Sequence, residues 1–359
     1  MARIVLATFG SRGDLNPYLA VARALLARGH TPIVATSASY REVVEATGAR
    51  FAPVRPDLVP EAEQPEMMAR VMDQHRGTAA VVALIMPRLR ESYEDTLVPA
   101  RDADLLVSHP LTLTVRLVAE TTGVPWASSL LQPLGLFSAH DPPVIPPAPW
   151  MRHARALGPG FHRGLFALGR ASTRRWVAPW GALRRALGLP PVRENPLFSG
   201  QHSPALVLAM FSPLLAPPQP DWPRHTVVTG FPFGDDERPM PRALEEFLDA
   251  GEPPALFTLG TSAVHDPRAF WDESVAAARA IGRRAVLLVG ERPPALRHAH
   301  GPDVHIAAYA PHAQVMPRAF AIVHQGGIGT TAQAMRAGRP MLVVPFAHDQ
   351  FDNAARVAR

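Results

Sequence analysis

Two segments close to the end of the chain combine glycines with polar side chains that suit the binding of a phosphate and a sugar. The first follows an apolar run, Ala321 to Val323, and reads His-Gln-Gly-Gly-Ile-Gly-Thr-Thr from His324 to Thr331. Its glycines let the backbone approach an anion, and the helix expected next offers unpaired N–H groups and partial positive charge. The side chains of His324 and Gln325 add donors. The segment therefore predicts a phosphate-binding turn.

The glycine spacing of this turn matches neither the dinucleotide fingerprint nor the P-loop. On its own, such a turn can equally be a tight connection between a strand and a helix. The next apolar run ends at Val344 and is closely followed by Asp349 and Gln350. Ligands of open α/β sheets bind beyond the carboxyl ends of the strands, so these side chains should lie beside the turn. A carboxylate next to an amide suits the hydroxyls of a hexose, although the pair alone also fits an ordinary helix start.

The elements that must position these residues form two series of alternating strands and helices, the pattern of parallel βαβ units. In the first series, a strand from Ile4 to Thr8 leads into a glycine-bearing turn. Asn16 then has the residue type of a helix N-cap and Pro17 that of a first helical residue, so a helix should begin there and stop at Gly29. Further strands are predicted at Pro32 to Thr36, Leu105 to Ser108, Ala127 to Leu131, Leu206 to Met210 and Val227 to Gly230.

Prolines and a loss of periodicity mark the boundaries between regions. The stretch from about Phe137 to Gly200 reads as an irregular insertion with helices. The chain has 40 prolines, about twice the usual share, and one cluster runs from Pro232 to Pro254. This cluster predicts an inter-domain linker. The expected organisation is an N-terminal α/β domain over 1–232, a linker over 233–254 and a C-terminal α/β domain over 255–359.

The second series repeats the strand-helix pattern over a shorter length. Its strands are predicted at Ala255 to Leu259, Ala285 to Val289, Val304 to Ala307, Ala321 to Val323 and Met341 to Val344. Helices should cover Phe270 to Ile281, then continue from the glycine turn to about Ala337, and begin again near Gln350. Because the chain stops inside that last helix, we expect a C-terminal domain that is truncated.

Composition narrows the class of protein. Hydrophobic residues make up 47% of the chain, which allows a sizeable core, and no run of about 18 apolar residues predicts a membrane span. Cysteine is absent, which fits a cytoplasmic protein and excludes thiolate chemistry. Every basic residue is arginine, the net charge is +5 and the pI is about 10.5. Arg174-Arg175 and Arg184-Arg185 suit an anionic surface or an acidic partner, so peripheral membrane contact is open. No basic stripe with interleaved aromatics indicates nucleic-acid binding.

The block from His324 to Ala354 resembles the C-terminal signature of family 1 glycosyltransferases, especially the bacterial branch that glycosylates sterols and antibiotics. Two further segments are similar to that branch: Gly10-Ser11-Arg12-Gly13-Asp14 with Asn16-Pro17, and Tyr309-Ala310-Pro311-His312. The resemblance spans nearly the whole chain in the right order. It implies the α/β GT-B fold, in which two Rossmann-like, doubly wound parallel-sheet domains face each other across a cleft. The N-terminal domain would bind the acceptor and the C-terminal domain the donor.

The resemblance also implies roles for individual residues. Tyr309 would stack near the nucleotide base, Ala310 would pair with its edge through the backbone, and His312 and Gln333 would lie near the ribose. The diphosphate would be held by Ser262, Thr330 and the turn that contains His324, Gln325, Gly326, Gly327 and Gly329, with Arg12 as a further contact. Asp349 and Gln350 would bind sugar hydroxyls. Asp14 stands where antibiotic-type members place the general base.

The chain departs from the family pattern at two positions and in length. Many members have His where this chain has Gln325, and Glu where it has Gln333. The resemblance implies an inverting hexosyl transfer from a UDP- or dTDP-sugar to a hydroxyl of a hydrophobic small molecule, with no metal and no cofactor. Tryptophans and phenylalanines between Trp150 and Trp180 fit an acceptor cleft and core packing about equally.

Two other classes of function remain open from the sequence. A sugar-nucleotide epimerase shares the architecture, but would need further acid/base carboxylates around the sugar, and the sequence offers no clear set. A non-catalytic nucleotide-sugar-binding or partner-activating protein fits the expected truncation. The oligomeric state is open as well.

Overall fold

The computed structural model describes residues 1–57, 65–146, 148–234, 236, 238–260, 269–291 and 301–359 of the chain. These residues fall into two compact units, each built on its own parallel sheet. Unit 1 comprises Met1–Gln64 and His75–Gly234, and unit 2 comprises Pro65–Gln74 and Asp235–Arg359.

Unit 1 contains a seven-stranded sheet whose strands all run parallel. The strands are β1 (Arg3–Ala7), β2 (Thr31–Thr36), β3 (Arg50–Pro53), β4 (Leu105–Ser108), β5 (Trp126–Leu130), β6 (Val207–Ala209) and β7 (Thr226–Val228). Their order in the sheet is β3-β2-β1-β4-β5-β6-β7. Leu6 of β1 pairs with Val34 of β2 on one side and Val107 of β4 on the other, so the carboxyl ends of β1 and β4 are neighbours.

Helices connect these strands. They are α1 (Arg12–Ala27), α2 (Arg41–Glu45), α3 (Pro65–Val71), α4 (Gly77–Ile85), α5 (Leu89–Ala100), α6 (Val115–Thr122), α7 (Met151–Ala154), α8 (Gly158–Ser172) and α9 (Ala178–Ala186). One face of the sheet, with Val5 and Ile33, packs against α4, α5 and α6 in a continuous core. The predicted irregular insertion contains α7, α8 and α9, and Trp180 of α9 belongs to this core with 2% exposure.

The start of α1 corrects a prediction. The helix begins at Arg12 and not at Pro17, because Ser11 and Asp14 form a reciprocal capping box. The Ser11 hydroxyl accepts from the Gly13 N–H at 3.1 Å, and Asp14 Oδ2 accepts from the Ser11 N–H at 2.8 Å. Pro17 therefore lies inside the helix. Its end was predicted correctly, since Gly29 adopts φ +77° just after the cap residue Arg28.

Unit 2 contains a five-stranded parallel sheet in the order β10-β9-β8-β11-β12. The strands are β8 (Ala255–Thr258), β9 (Ala285–Leu288), β10 (Val304–Ala307), β11 (Ala321–His324) and β12 (Met341–Val343). The helices are α10 (Arg242–Asp249), α11 (Phe270–Ala280), α12 (His312–Val315), α13 (Ile328–Ala337) and α14 (Gln350–Val357). β11 lies between β8 and β12, so the glycine turn after β11 adjoins the segment after β12.

The segment predicted as a linker differs in part from that prediction. Within 233–254 the chain forms α10, whose Leu244 and Leu248 are buried in the core of unit 2 with Leu256 of β8. Apolar residues four positions apart lie on the same face of a helix, so this pair anchors α10 to the sheet. The proline-rich flanks had masked that signal. Pro65–Gln74 also joins unit 2, where Met72 packs in the core with Phe257.

Candidate functional site

The glycine turn after β11 presents a buried donor that has no partner. His324 is fully buried, and its Nδ1 accepts a hydrogen bond from the Gly326 N–H at 3.1 Å. The ring proton must therefore lie on Nε2, which has no hydrogen-bond partner among the described residues. An unpaired buried donor is costly, which makes this Nε2–H a candidate contact for an acceptor atom of a ligand.

Gly326 makes the turn possible and ties it to α14. It adopts φ +91°, and a Cβ there would lie 2.5 Å from Val343 Cγ1 and 3.2 Å from the Gln350 carbonyl oxygen. Asn353, fully buried on α14, donates from Nδ2 to the Gly326 carbonyl at 2.8 Å. The turn is thus held between β12 and α14, and the role of Asn353 was not foreseen from the sequence.

The N-terminus of α13 faces the same turn without a side-chain cap. Gly327 is its cap residue, so no side chain there occupies the first N–H groups of the helix. Thr331 donates its hydroxyl to the Gly327 carbonyl at 3.0 Å, while Thr330 is 7% exposed and makes no side-chain hydrogen bond among the described residues. Uncapped N–H groups with partial positive charge form an anion site. Gly329, on the first turn of α13, is exposed and has open space around it.

Gln325 fills the space between the turn and the end of β8. It is 5% exposed, and its Nε2 lies 2.2 Å from where a Cβ on Gly260 would be and 2.8 Å from where one on Gly327 would be. Two glycines therefore make room for this carboxamide. Ser262, the predicted diphosphate ligand that follows Gly260, lies outside the described residues.

Asp349 and Gln350 stand beside the turn, as the strand order requires, but part of their hydrogen-bonding capacity is used. Gln350 Oε1 accepts from the Phe346 and Ala347 N–H groups at 2.7 and 2.9 Å, which leaves only its Nε2 for a ligand. Asp349 Oδ2 accepts from Asn353 Nδ2 at 2.7 Å. His348 holds φ +52°, a strained conformation for a residue with a side chain, directly before this pair.

The segment after β10 carries Tyr309, Ala310 and His312. Tyr309 is 42% exposed, its hydroxyl donates to Asp236 Oδ2 at 2.9 Å, and the Arg238 guanidinium lies 4.6 Å from its ring centroid. Ala310 is fully buried. Asp236 and Arg238 belong to the predicted linker, and no sequence signal pointed to their contact with Tyr309. On α13, the Gln333 Oε1 is buried without a hydrogen-bond partner in the described part of the chain.

Two histidines of unit 2 are held neutral by burial. Burial lowers the pKa of His312 to about 4, and burial with the nearby His312 lowers the pKa of His324 to about 4. The ordinary pKa of a histidine side chain is 6.5. Between pH 6.5 and about 4, the unfolded chain therefore binds protons that the folded chain does not bind. The free energy of unfolding therefore falls as the pH drops through this window.

We expect this acid sensitivity to depend on His324. Each such histidine contributes a slope of up to about 1.4 kcal/mol per pH unit, or roughly 3 kcal/mol over the window. Urea unfolding at a series of pH values should show a clearly shallower slope for His324→Gln. His153→Gln, which changes an exposed histidine of α7, is the matched control for replacing a histidine by glutamine. Equal slopes for His324→Gln and the unchanged protein would contradict the prediction.

Asp14 sits at the carboxyl end of β1, in unit 1. Its side chain is 32% exposed, and Oδ2 accepts from both the N–H and the hydroxyl of Ser11 at 2.8 and 3.0 Å. Gly10, at φ +132°, leaves room for the Asp14 carboxylate, because a Cβ at this position would lie 2.3 Å from Asp14 Oδ2. No hydrogen bond or ion pair is described for Arg12, the first residue of α1.

His109 lies behind Asp14, at the end of the neighbouring strand β4. It is 4% exposed, its Nδ1 accepts from the Leu111 N–H at 3.2 Å, and its Nε2 is 3.7 Å from Asp14 Oδ1. The ring proton is therefore on Nε2 and faces the carboxylate. Burial raises the pKa of Asp14, but His109 and the hydrogen bonds from Ser11 outweigh it, so the pKa lies below its ordinary value. A polar residue directly after a strand next to β1 was the available signal for His109.

Two structural findings bear on the expected chemistry. Over the described residues, no group of three or more His, Asp or Glu side chains is arranged to hold a metal ion. In the same part of the chain, every helix is too short or too polar to cross a bilayer.

Comparisons with known proteins agree with the division of the chain into two α/β units. Residues 4–129 match the glycosyltransferase family 28 N-terminal domain, and residues 212–359 match the UDP-glucoronosyl and UDP-glucosyl transferase family. The chain is 35% identical to O-mycaminosyltylonolide 6-deoxyallosyltransferase of Streptomyces fradiae, over 99% of this chain and 83% of that protein. It is 29% identical to a sterol 3-beta-glucosyltransferase of Aspergillus fumigatus, over 99% of this chain and 26% of that protein.

Solved structures share the fold. The spinosyn rhamnosyltransferase SpnG, complexed with thymidine diphosphate, superposes with a TM-score of 0.66 at 19% identity, over 100% of this chain and 84% of that one. Two parallel-sheet α/β units matched by these glycosyltransferase family models define a glycosyltransferase of the GT-B fold. The chain belongs to the family 1 glycosyltransferases of the GT-B fold.

Proposed function

We propose that the protein transfers a hexose from a UDP- or dTDP-sugar to a hydroxyl of a hydrophobic small molecule, with inversion and without a metal. Asp14 is the general base of this proposal. The observation that carries it is the convergence, at one turn, of the uncapped N-terminus of α13 and the unpaired Nε2–H of His324. The names of the relatives support the acceptor class, since one acts on a tylonolide and the other on sterols.

The donor would bind along the carboxyl edge of the sheet in unit 2. The diphosphate takes the N–H groups of Gly327, Gly329 and the first turn of α13, with the Thr330 hydroxyl beside them. Its oxygens satisfy the His324 donor that is otherwise unpaired. When the glycosidic bond to the diphosphate breaks, negative charge builds on the leaving group, and preorganised donors stabilise it without reorganisation. These donors do the work that a divalent cation does in other transferases.

The base and sugar would be held on either side of the diphosphate. Arg238 covers one face of Tyr309, so the base would stack against the other face, with the Ala310 backbone at its edge and His312 and Gln333 near the ribose. The Nε2 of Gln350 and the Asp349 carboxylate would bind sugar hydroxyls.

Asp14 would take the proton from the acceptor hydroxyl as it attacks the anomeric carbon. Attack from the side opposite to the leaving diphosphate inverts the configuration at that carbon. A pKa below the ordinary value keeps the carboxylate ionised at neutral pH, and the buried His109 Nε2 lies 3.7 Å from its Oδ1. His109 is a positioning residue, because it is buried and both of its nitrogens face protein atoms.

The proposal is tested first by donor binding and then by transfer. In a thermal-shift panel of UDP, dTDP, ADP, GDP and their glucose conjugates, we expect UDP or dTDP compounds alone to raise the melting temperature, since stabilisation follows affinity. The preferred donor is then incubated with and without macrolide and sterol acceptors. A glycosylated acceptor supports the proposal.

Two other outcomes would replace the proposal. Conversion of the donor sugar without acceptor would identify an epimerase, and donor binding with neither reaction would identify a non-catalytic protein. Exclusive transfer to sugars or proteins would overturn the hydrophobic acceptor.

A further inference from the structure

The insertion between β5 and β6 has a charge unlike the rest of the chain. From Pro142 to Arg193 it contains nine arginines and not one aspartate or glutamate. The whole chain carries +5, so this stretch of +9 leaves −4 for everything else. The excess of positive charge that makes the protein basic is therefore concentrated in one region of unit 1. Such a local positive field attracts an anionic partner.

The helix α8 presents apolar side chains to solvent in this same region. Leu157, the cap residue directly before α8, and Phe161 and Leu168 within it are 59%, 41% and 66% exposed. Their spacing of four and seven residues places them on one side of the helix, in a row about two to three turns long. We call these three residues the apolar row. The opposite side of α8 carries His162 and Phe166, which are buried against unit 1, so the apolar row faces away from the core.

A second row on α8 is cationic. Arg163 and Arg170 are seven residues apart, which is two turns of the helix. They lie at the edge of the exposed face of α8 that is farther from the apolar row. Both are exposed. Among the described ion pairs, no carboxylate pairs with Arg163, Arg170, Arg174 or Arg175, and the one side-chain partner of Arg163 is His140 at 3.3 Å. These guanidinium groups keep their charge available to a partner.

Tryptophans bracket the helix in sequence. Trp150 precedes it and Trp176 follows it, with 51% and 39% exposure. By contrast, Trp180 is buried and donates from Nε1 to the Leu113 carbonyl at 2.9 Å. Half-exposed tryptophans, an apolar row and an arginine row on one helix without acidic residues match the chemistry of a bilayer surface with anionic headgroups. An acidic protein surface would also satisfy the arginines, and binding to polyglutamate separates that partner from a bilayer.

We propose that α8, with its apolar row and its flanking arginines, binds the surface of an anionic lipid bilayer. The helix lies in the plane of the interface, with the apolar row inserted among the acyl chains and the arginines on lipid phosphates. This contact would hold unit 1 at the membrane surface. The inference is independent of the proposed transfer reaction.

The test is flotation of the full chain with vesicles of phosphatidylcholine alone and of phosphatidylcholine mixed with phosphatidylglycerol. We expect flotation with the mixed vesicles at low salt, weak or no flotation with the neutral ones, and release at high salt. Arg163→Glu with Arg170→Glu should lower affinity by at least about 20-fold, since each basic group near such a surface is worth about a factor of five. Phe161→Ser with Leu168→Ser should abolish flotation at moderate salt.

Matched controls separate the helix from general charge and hydrophobicity. Arg90→Glu with Arg224→Glu makes the same charge change at exposed arginines of unit 1 outside the insertion. Val98→Ser with Leu214→Ser removes apolar groups that are at least as exposed as Phe161 and Leu168. Both should float as the unchanged protein does, and circular dichroism should show all variants folded. Equal flotation with neutral vesicles, or equal loss in the control variants, would overturn the proposal. Binding to polyglutamate but not to vesicles would assign the arginines to an acidic protein surface instead.

Discussion

Asp14→Asn is expected to lower the rate of glycosyl transfer by about 10²–10⁴-fold, the usual contribution of a general base, while donor affinity stays within about two-fold, a difference of less than 1 kcal/mol. Asparagine keeps an oxygen that can accept from the Ser11 N–H, so α1 keeps its cap. What is lost is the proton acceptor. Single-turnover transfer and isothermal titration with the nucleotide measure the two effects separately.

The control for this prediction addresses the other role of the same carboxylate. Asp14 caps α1 together with Ser11, so a loss of activity could arise from a frayed helix. Ser11→Ala removes the hydroxyl that accepts from Gly13 and should cost about 1 kcal/mol of stability, yet it leaves the carboxylate in place and should retain transfer. Should Asp14→Asn turn over normally, or Ser11→Ala be as inactive as Asp14→Asn, the base assignment is wrong.

His109 offers a graded version of the same test. His109→Ala removes the buried ring that faces Asp14 Oδ1, so the pKa of Asp14 should move upward and the acid limb of the pH–rate profile with it. We expect a smaller fall in kcat than for Asp14→Asn, with KM for the donor unchanged. A merely structural histidine would lower stability and leave the acid limb in its place.

Gly326→Ala should destabilise the donor-binding unit by about 2–5 kcal/mol and abolish nucleotide binding. A side chain at φ +91° costs about 1–2 kcal/mol, and overpacking adds about 1–3 kcal/mol. The new methyl group would press on Val343 Cγ1, whose branched side chain has little rotamer freedom, and on the Gln350 backbone. The Asn353 bond to the Gly326 carbonyl would then break as the turn moves away from α14.

Gly329→Ala is the matched control, since it lies three residues further along the same motif. It is helical and has open space around it, so alanine should keep or raise stability. Urea unfolding compares the two variants, and calorimetry follows the nucleotide. A stable Gly326→Ala variant with normal nucleotide affinity would contradict the account of the turn.

Elements with strong local signals could be predicted from the sequence almost to the residue. β4 and β10 have the predicted bounds, α13 ends at Ala337 with Gly338 in the left-handed conformation, and α14 begins at Gln350. In each case a short apolar run or a glycine stop decides the structure locally. The predicted start of α1 was wrong because the sequence contains two competing cap signals. The reciprocal pair of Ser11 and Asp14 caps the helix, and not Asn16 with Pro17.

The parts of the site that depend on long-range contacts were not predictable in this way. His109 is 95 positions from Asp14 and meets it only because β4 pairs with β1. Arg238 precedes α10 and Tyr309 follows β10, so their contact joins positions 71 residues apart in the sequence. Gln350 had the right residue type for a sugar ligand, but its oxygen is taken by two backbone N–H groups, which no pattern in the sequence records.

The capping box formed by Ser11 and Asp14 favours the return of the proposed base to its ionised form. When Asp14 carries the acceptor's proton, it is a weaker acceptor for the Ser11 N–H and hydroxyl, so the first turn of α1 loses part of its cap. The helix therefore regains stability each time the proton leaves to solvent. Protonation and helix capping compete for one carboxylate, so in the proposed cycle the fold itself favours the return of Asp14 to its ionised state.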